Sequence, residues 1–410
     1  MPNTLITPTI IAKEALMQLE NNLVMANSAH REYKKEFAKV GDTVSIRRPV
    51  KFITSDGATR ANQDVEEKNT SITIDSRKHV SWNFSTQDLT LTIEEYSERY
   101  IKPACITLAQ TMDQAGHSLY SSVWNSVGTP GTTPANYAAI GDTAQRLDEM
   151  AVPRDNRMMV TNPAAHYAVA GNQLTLDAIG AKGTSAYEAA QVGRIANFDW
   201  MMSQNVKNHT VGAHGGTPLV DGASQDVTYA ASGGANTQSL VTDGWSTSTA
   251  VLNAGDVFTI AGVFAVNPVP GEGTTGKEVQ SYLQQFTVIS DVTSDGSGDA
   301  TLTISPAIIA SGPYQTVSAA PADNAAITVL GTASTAYPQN LGFHKNAFAL
   351  VTCPLEMPDG ASWKARESKN GLSIRVVKDY DIGDDTDIIR LDILYGWKAI
   401  YPDLATRLWG

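Results

Sequence analysis

The longest unbroken helical period in the chain lies between Thr92 and Val127. There Ile93, Tyr96, Ile101, Cys105, Leu108, Met112, Ala115, Leu119 and Val123 recur at three-and-four spacing. Glu94, Glu98, Gln110, Asp113 and Gln114 fall on the other faces. The pattern predicts one helix, opened by a Thr92/Glu95 capping box and closed by Gly128-Thr129-Pro130-Gly131. At the usual rise per residue it would run about 50 Å, with Pro103 bending its first turns. A helix of that length suits a spine joining parts of an extended molecule.

Ahead of it, Ile11, Ala15, Leu19, Leu23 and Ala26 predict an N-terminal helical arm from Thr9 to Ala38, ended by Gly41-Asp42. His30, Arg31, Lys34, Lys35 and Lys39 form a basic cluster at its end, read as a solvated helix face. The period then changes to two. Val44 and Ile46, Ile72 and Ile74, and Val80, Trp82 and Phe84 alternate with polar residues, as half-buried strands do. A polar, turn-rich stretch separates the first two runs, which predicts a long hairpin with little to bury on its own.

Beyond the spine, a helix is expected from Asn136 to Met150, then a buried strand, an Asn-Pro turn and another helix through RMMVTNPAAHYAVAG. From Val211 to Ala336 the texture shifts to Gly, Ala, Ser, Thr and Asp. Val257, Thr259 and Ala261, then Phe286, Val288 and Ser290, then Leu302 and Ile304 predict short strands of a small β-barrel or sandwich. The α+β texture resumes after Tyr337, so this region reads as an insertion. Leu372, Ile374 and Val376 face Ile389, Leu391, Ile393 and Tyr395 across DIGDDTD as the clearest hairpin, with Gly396 ending its second strand.

Charge sharpens the picture. The formal net charge is -12, and between Val211 and Ala336 ten acidic residues accompany a single basic one, Lys277. Such a balance disfavours general affinity for a phosphate backbone. The two cysteines, Cys105 and Cys353, have no metal-ligand spacing and suit a reducing compartment. No signal peptide or membrane span is read in the chain, so a soluble protein made in a cytoplasm is expected.

Motifs for chemistry are weak. GEGTTGK at Gly271 to Lys277 matches part of a phosphate-binding loop, but Glu278 replaces the expected hydroxyl and strand-like sequence follows. His214-Gly215-Gly216 resembles an oxyanion-hole sequence without a nucleophile elbow, and His209 and His214 read as residues of a polar loop. Asp381, Asp384, Asp385 and Asp387 read as a solvated turn. No catalytic, cofactor or metal site is therefore assigned, and the protein is not expected to be an enzyme. An arm, an over-long hairpin, a spine and a decorated domain are better suited to touching neighbours.

The order of these elements resembles the major capsid proteins of tailed bacteriophages with the Hong Kong ninety-seven type fold. Within that group it is similar to podovirus-type coat proteins with an inserted β-barrel. The resemblance rests on GDTVSIRRP (Gly41 to Pro49), GDVFTIAGVFAVNP (Gly255 to Pro268), TLTISPAI (Thr301 to Ile308), LGFHKNAFALVTCPLEMP (Leu341 to Pro358) and RLDILYGWKAIYPDLATRL (Arg390 to Leu408). It implies an α+β fold in six segments: an arm (1–40), an extended loop hairpin (41–85), a peripheral domain with the spine (86–134), a first part of the axial domain (135–210), an inserted β-rich domain (211–336), and the rest of the axial domain with a C-terminal hairpin returning to the peripheral domain (337–410). It further implies hexamers and pentamers of an icosahedral shell, a scaffolding protein, a portal protein and, where one exists, a decoration protein as partners. The shell would enclose double-stranded DNA without sequence-specific binding and involve no membrane; its place would be the virion capsid, after assembly in host cytoplasm. At the hairpin tip Asp56, Arg60, Asp64, Glu66, Glu67 and Lys68 are the expected inter-subunit contacts. The competing expectation is a virion decoration or adhesin-type module whose β-rich region recognises a ligand.

Overall fold

A computed structural model describes residues 8–31, 43–55, 57–60, 62–85, 97–176, 188–234, 236–269, 277–361, 363–383 and 386–410. The chain divides into two compact units, one of residues 1–45, 71–117 and 348–398, the other of residues 46–70, 118–347 and 399–410.

The first unit is helices on a sheet. The strand Thr386–Ala399 pairs antiparallel with both Leu372–Asp381 and Ser76–Ser85, and the sheet extends to Trp363–Lys369 and Phe348–Thr352. The expected C-terminal hairpin is present, with Val376 opposite Leu391 and Lys378 opposite Ile389. Every apolar residue named for it is buried, because alternation at period two puts that whole set on one face. Against this face lie the helices Pro8–Asn21 and Lys102–His117, and Ile11, Leu16, Leu19, Leu108 and Met112 share one core with Leu372, Ile374, Val376 and Leu391.

Several expectations change here. The N-terminal run is two helices, Pro8–Asn21 and Met25–Ser28, docked in the core of their own chain. Their apolar stripe is covered internally, so it is no free arm. After them His30 pairs with the strand at Phe348, its amide donating to the Phe348 carbonyl at 3.0 Å while the Leu350 amide donates to the His30 carbonyl at 2.9 Å. Lys34, Lys35 and Lys39 lie outside the described residues, as do Thr92 and Glu95 of the expected capping box.

The spine is shorter than its periodicity. A π-turn at Ser97–Ile101 leads into the α-helix Lys102–His117, about 24 Å long, and a 3₁₀ turn follows at Ser118–Ser122. Pro103, which lacks an amide hydrogen, stands in the first α-turn, where that donor would be unpaired in any case. At the other end the Ser121 carbonyl accepts from Thr287 Oγ1 at 3.0 Å and from Arg407 at 3.4 Å instead of continuing a helical ladder. Leu119 and Val123 therefore keep a helical spacing in sequence without belonging to the α-helix.

Asp113 also departs from its expected solvent face, being fully buried. Its carboxylate accepts from the amides of Val24 (2.7 Å), Met25 (3.3 Å) and Ala26 (3.1 Å), capping the short Met25–Ser28 helix from a different element. Burial pushes the Asp113 carboxyl up, against the pull of those three amides. Gly396 does not end its strand, which continues to Ala399. A Cβ at Gly396 would collide with the Thr73 carbonyl oxygen, so glycine is required by close backbone approach.

The second unit holds two sheets. In one, Ala336–His344 lies between Ala405–Trp409 and Arg157–Thr161. The sheet continues through Phe198–Met202 to Arg194–Ile195 on one side and to Ser126–Val127 on the other. The helix Tyr137–Glu149 contributes Ile140 and Leu147 to the same core as Met159, Phe198 and Leu408. Asn136 caps that helix by accepting from the Ala139 amide at 3.0 Å, and Asn162 does the same for Ala165 at the start of Pro163–Leu176.

The other sheet is antiparallel in the order Ile327–Val329, Val257–Val266, Val279–Val288, Ala300–Ser305, Gln238–Trp245, Gly216–Val220. Its ends meet: the Val220 amide donates to the Ala325 carbonyl at 3.0 Å and the Asn324 amide to the Val220 carbonyl at 2.9 Å. The result is a closed six-stranded barrel, which leaves no long free edge. Phe286, Val288, Leu302 and Ile304 point inward as expected. In the first long strand Val257 is buried as expected, but the barrel core takes Phe258 and Ile260, while Thr259 is half-buried and Ala261 exposed.

Asp392 ties the first unit's sheet together. It is fully buried and accepts from Arg375 at 2.6 Å and Arg390 at 2.8 Å, with the more exposed Arg77 at 3.4 Å. Burial acts to raise its carboxyl, but the hydrogen bonds and charges of Arg375 and Arg390 outweigh this and hold it below the usual range. A depressed carboxyl stabilises the fold above its unfolded pKa, and that stabilisation is lost as pH falls through the folded value. Asp392→Asn should cost about 2–4 kcal/mol in denaturant unfolding of the unassembled chain at pH 7. The gap between variant and wild type should be flat above about pH 5 and narrow on acidification; a gap that widens in acid would contradict this assignment.

Candidate functional site

The expected contact segment begins as a two-stranded ribbon, Thr43–Arg47 with Asn69–Thr73. Alternation of Thr70, Ile72 and Ile46 with exposed polar residues gives the ribbon one buried face. Past the strands the Arg48 amide donates to the Lys68 carbonyl at 2.8 Å, and Arg48 Nε donates to Thr70 Oγ1 at 3.0 Å. Thr70 Oγ1 in turn donates to the Gly234 carbonyl at 3.1 Å, and the Lys68 stem lies where a side chain on Gly233 would have to go.

A tyrosine pair clasps the neck of the loop. The Tyr314 hydroxyl accepts from the Lys51 amide and donates to the Glu66 carbonyl, both at 3.2 Å. Its ring stacks on Tyr229 with centroids 3.5 Å apart and planes 3° from parallel. Burial, with Tyr314 beside it, raises the Tyr229 phenol. Further out, Gln63 brackets Ile53, its amide oxygen accepting from the Ile53 amide at 3.0 Å and its amide group donating to the Ile53 carbonyl at 2.5 Å. Beyond Gln63 and Ile53 the described tip residues, among them Thr54, Ser55, Ala58 and Arg60, are exposed.

The six expected contact residues therefore separate. Arg60 and Asp64 are exposed and form no ion pair among the described residues. Glu67 pairs with Arg47 of its own ribbon at 3.1 Å, an exposed bridge that contributes at most about 1 kcal/mol. Glu66 and Lys68 are half-buried and held at the neck, and Asp56 lies outside the described residues. Reading the sequence missed Tyr229 and Tyr314, since SGPY gives only a turn signal and the stacking partner is far away in sequence.

A second polar assembly lies deeper in the same unit. Arg407 is fully buried in the Ala405–Trp409 strand and donates to the Gly255 carbonyl (2.6 Å), the Ser121 carbonyl (3.4 Å) and Thr287 Oγ1 (3.0 Å). Its guanidinium faces the Tyr120 ring at 5.3 Å. Burial brings Arg407 down to about 9, partly opposed by Tyr120 and Asp256. Beside it Tyr120 Oη, His209 and Asp256 form a chain, with His209 Nδ1 3.0 Å from Tyr120 Oη and Nε2 2.7 Å from Asp256 Oδ1. The other Asp256 oxygen accepts from the amides of Gly212 (3.0 Å) and Asn253 (2.7 Å).

His209 is thus no polar-loop residue: it is buried in the short strand Asn208–Thr210, paired with Ala336–His344. His214 is half-buried with Nε2 3.3 Å from the Gly331 carbonyl. Of the partial phosphate-loop match, to which no site is assigned from the sequence, Gly271 to Gly276 lie outside the described residues, and Lys277 leads into the strand Val279–Val288 where a nucleotide site would need a helix. Among the described residues no cluster of three or more His, Cys, Asp or Glu could hold a metal ion, and no helix is long and apolar enough to cross a membrane.

With this geometry in place, comparison with known proteins is decisive. The family model described as P22 coat protein, gene protein 5, matches residues 2–410. The chain belongs to the P22 coat protein family. A protein of Acyrthosiphon pisum secondary endosymbiont phage 1 named major capsid protein is 22% identical over 416 residues, covering 98% of this chain and 97% of the relative. Among solved structures, one from Mycobacterium phage Che8 aligns at 13% identity over 94% of this chain and 90% of its own, with a TM-score of 0.49. Another, described as the asymmetric unit of bacteriophage PhiM1 mature capsid, aligns at 12% identity over 94% and 86%, with a TM-score of 0.44. The family match carries the assignment without these distant likenesses. The observed fold is mixed α+β, and the strands of the closed barrel fall within residues 211–336.

Two substitutions test the anchoring. Tyr314→Phe removes the hydroxyl that bridges Lys51 and Glu66, at a cost of about 1 kcal/mol, and should speed tryptic cleavage after Arg60 in the unassembled chain; an unchanged cleavage rate would mean that the clasp does not hold the neck. Arg407→Met leaves the Gly255 and Ser121 carbonyls without their donor, and should lower stability by about 3 kcal/mol in denaturant unfolding.

Proposed function

We propose that this chain is the major capsid protein of a tailed bacteriophage, which self-assembles into the icosahedral shell around the genome. The family match over residues 2–410 is the observation that carries this reading, and the phage relative named for the same role aligns over nearly all of both chains. The role is structural and calls for no turnover. The Tyr120–His209–Asp256 chain fits that role: His209 and Asp256 are buried, and the second Asp256 oxygen is taken up by two amides, so the group holds strands together.

On this reading hexamers and pentamers form first on a scaffolding protein in host cytoplasm, a portal occupies one vertex, and the finished subunit resides in the virion capsid. The net charge of -12 fits a container that encloses double-stranded DNA without gripping it. The six segments, from residues 1–40, whose helices are docked rather than free, to the 337–410 return, are the subunit's divisions on this reading. The loop tip supplies contacts to a neighbouring copy through Arg60 and Asp64, whose charges have no internal partner among the described residues, while Glu66, Glu67 and Lys68 set the neck that presents them. No observation favours the decoration or adhesin-type alternative.

Negative-stain electron microscopy of the protein, expressed with and without neighbouring phage genes, should show uniform closed shells or capsomers that close when a scaffold is supplied. A small discrete oligomer under every condition would overturn the shell reading. Replacing Ser55–Asn62 by a short glycine linker should leave a folded subunit but prevent closed shells, and normal shells from that variant would remove the tip from the contact.

A further inference from the structure

Within the second unit a cavity of about 140 Å³ gathers three cations, Arg48, Lys51 and Lys277, among Tyr229, Tyr314 and Tyr401. Lys277 is the single basic residue between Val211 and Ala336, and although its side chain is charged it is only 6% exposed. Its ammonium donates to the Gln315 carbonyl at 3.1 Å, which uses one of three N–H groups. Arg48 spends Nε on Thr70 and makes no further side-chain hydrogen bond among the described residues. The lining includes one carboxylate, Asp403, which forms no ion pair with any of the three cations.

We propose that this cavity is an oxyanion site, taking one phosphate or carboxylate group between the Lys277 and Lys51 ammonium groups and the Arg48 guanidinium. Lys277 is a buried cation that forms no ion pair among the described residues, with half-buried Arg48 and exposed Lys51 lining the same cavity, and an anion placed beside it offsets the cost of burying its charge. Burial first, and then the charge of Lys51, bring Lys277 down to about 8, the direction expected of a lysine whose counter-ion is not supplied by the chain. The volume has room for one tetrahedral oxyanion and a water or two, at about 30 Å³ per water. Donors on a flexible ammonium and a planar guanidinium suit such oxygens, and the guanidinium can engage two of them at once.

The test is calorimetric titration of the unassembled full chain with inorganic phosphate and separately with acetate, at pH 7 and constant ionic strength set with chloride. The wild type should bind phosphate saturably at one site per chain. Lys51→Gln, at an exposed position, should keep the wild-type unfolding midpoint in chloride and weaken binding at least tenfold, and Lys277→Met should abolish it. Phosphate binding without acetate binding identifies a free inorganic anion as the guest, whereas comparable acetate binding points to a protein carboxylate. No saturable binding of either anion by the wild type, or equal affinity in Lys51→Gln, would overturn the proposal. The shell reading is untouched by either result.

Discussion

A guanidinium without water is the constraint on which the second unit depends. Arg407 sits in a strand whose five residues are all buried, so its charge has to be met by protein groups. Those groups come from far apart in sequence: the carbonyls of Ser121 and Gly255, the Thr287 hydroxyl and the Tyr120 ring. Ser121 is available because the 3₁₀ turn at Ser118–Ser122 has left the α-helical ladder. Gly255 lies just before one barrel strand and Thr287 near the end of another, with Asp256, next to Gly255, fixing His209. One cation therefore sets the position of the barrel against the sheet that contains the C-terminal strand. Gln285 reinforces the same junction, accepting from the Ser126 amide at 2.7 Å and donating to the Ser126 carbonyl at 3.0 Å.

The first unit uses carboxylates in the corresponding way. Asp113 offers two oxygens to three amides of a helix too short to be stable alone, and Asp392 gathers arginines from its own strand and the two strands beside it. The two differ in their chemistry. Amide dipoles do not fully offset the burial of Asp113, whereas two cations more than offset that of Asp392, which is why their carboxyls move in opposite directions. Such buried polar groups contribute less to net stability than to uniqueness, because any other packing leaves them unpaired.

Period and alternation made much of this fold legible. The C-terminal hairpin could be read because Leu372, Ile374 and Val376 face a single core, and the helix expected from Asn136 to Met150 is found at Tyr137–Glu149. What could not be read are features decided by distant partners. Leu119 and Val123 continue a helical rhythm, yet the backbone there answers to Arg407 and Thr287. Asp113 looks like a solvent-facing acid until the amides of Val24 to Ala26 are brought to it. Gly396 looks like a strand stop, although its lack of a side chain serves the approach of Thr73. At the candidate site the charges of the tip were visible, while the Tyr229–Tyr314 clasp was hidden in an unremarkable turn.

The contrast between neck and tip follows from where water is. At the neck, the bonds from Thr70 to the Gly234 carbonyl and from Tyr314 to the Glu66 carbonyl are half-buried, enough for each to count for about 1 kcal/mol. At the tip, exposed ions gain little from any single partner, and salt screens them further. A shell subunit benefits from this inequality. A loop fixed at its base keeps its aim, so on the proposed role part of the entropy of ordering it would already be spent before a neighbour arrived. On the proposed role of the tip, weak exposed contacts at its end would form, break and re-form while a lattice grows, and only their repetition would make them collectively strong. Under that proposal, strong contacts at the tip would trap the first misplaced neighbour, whereas a firm neck and a weak tip would let errors leave before a shell closed.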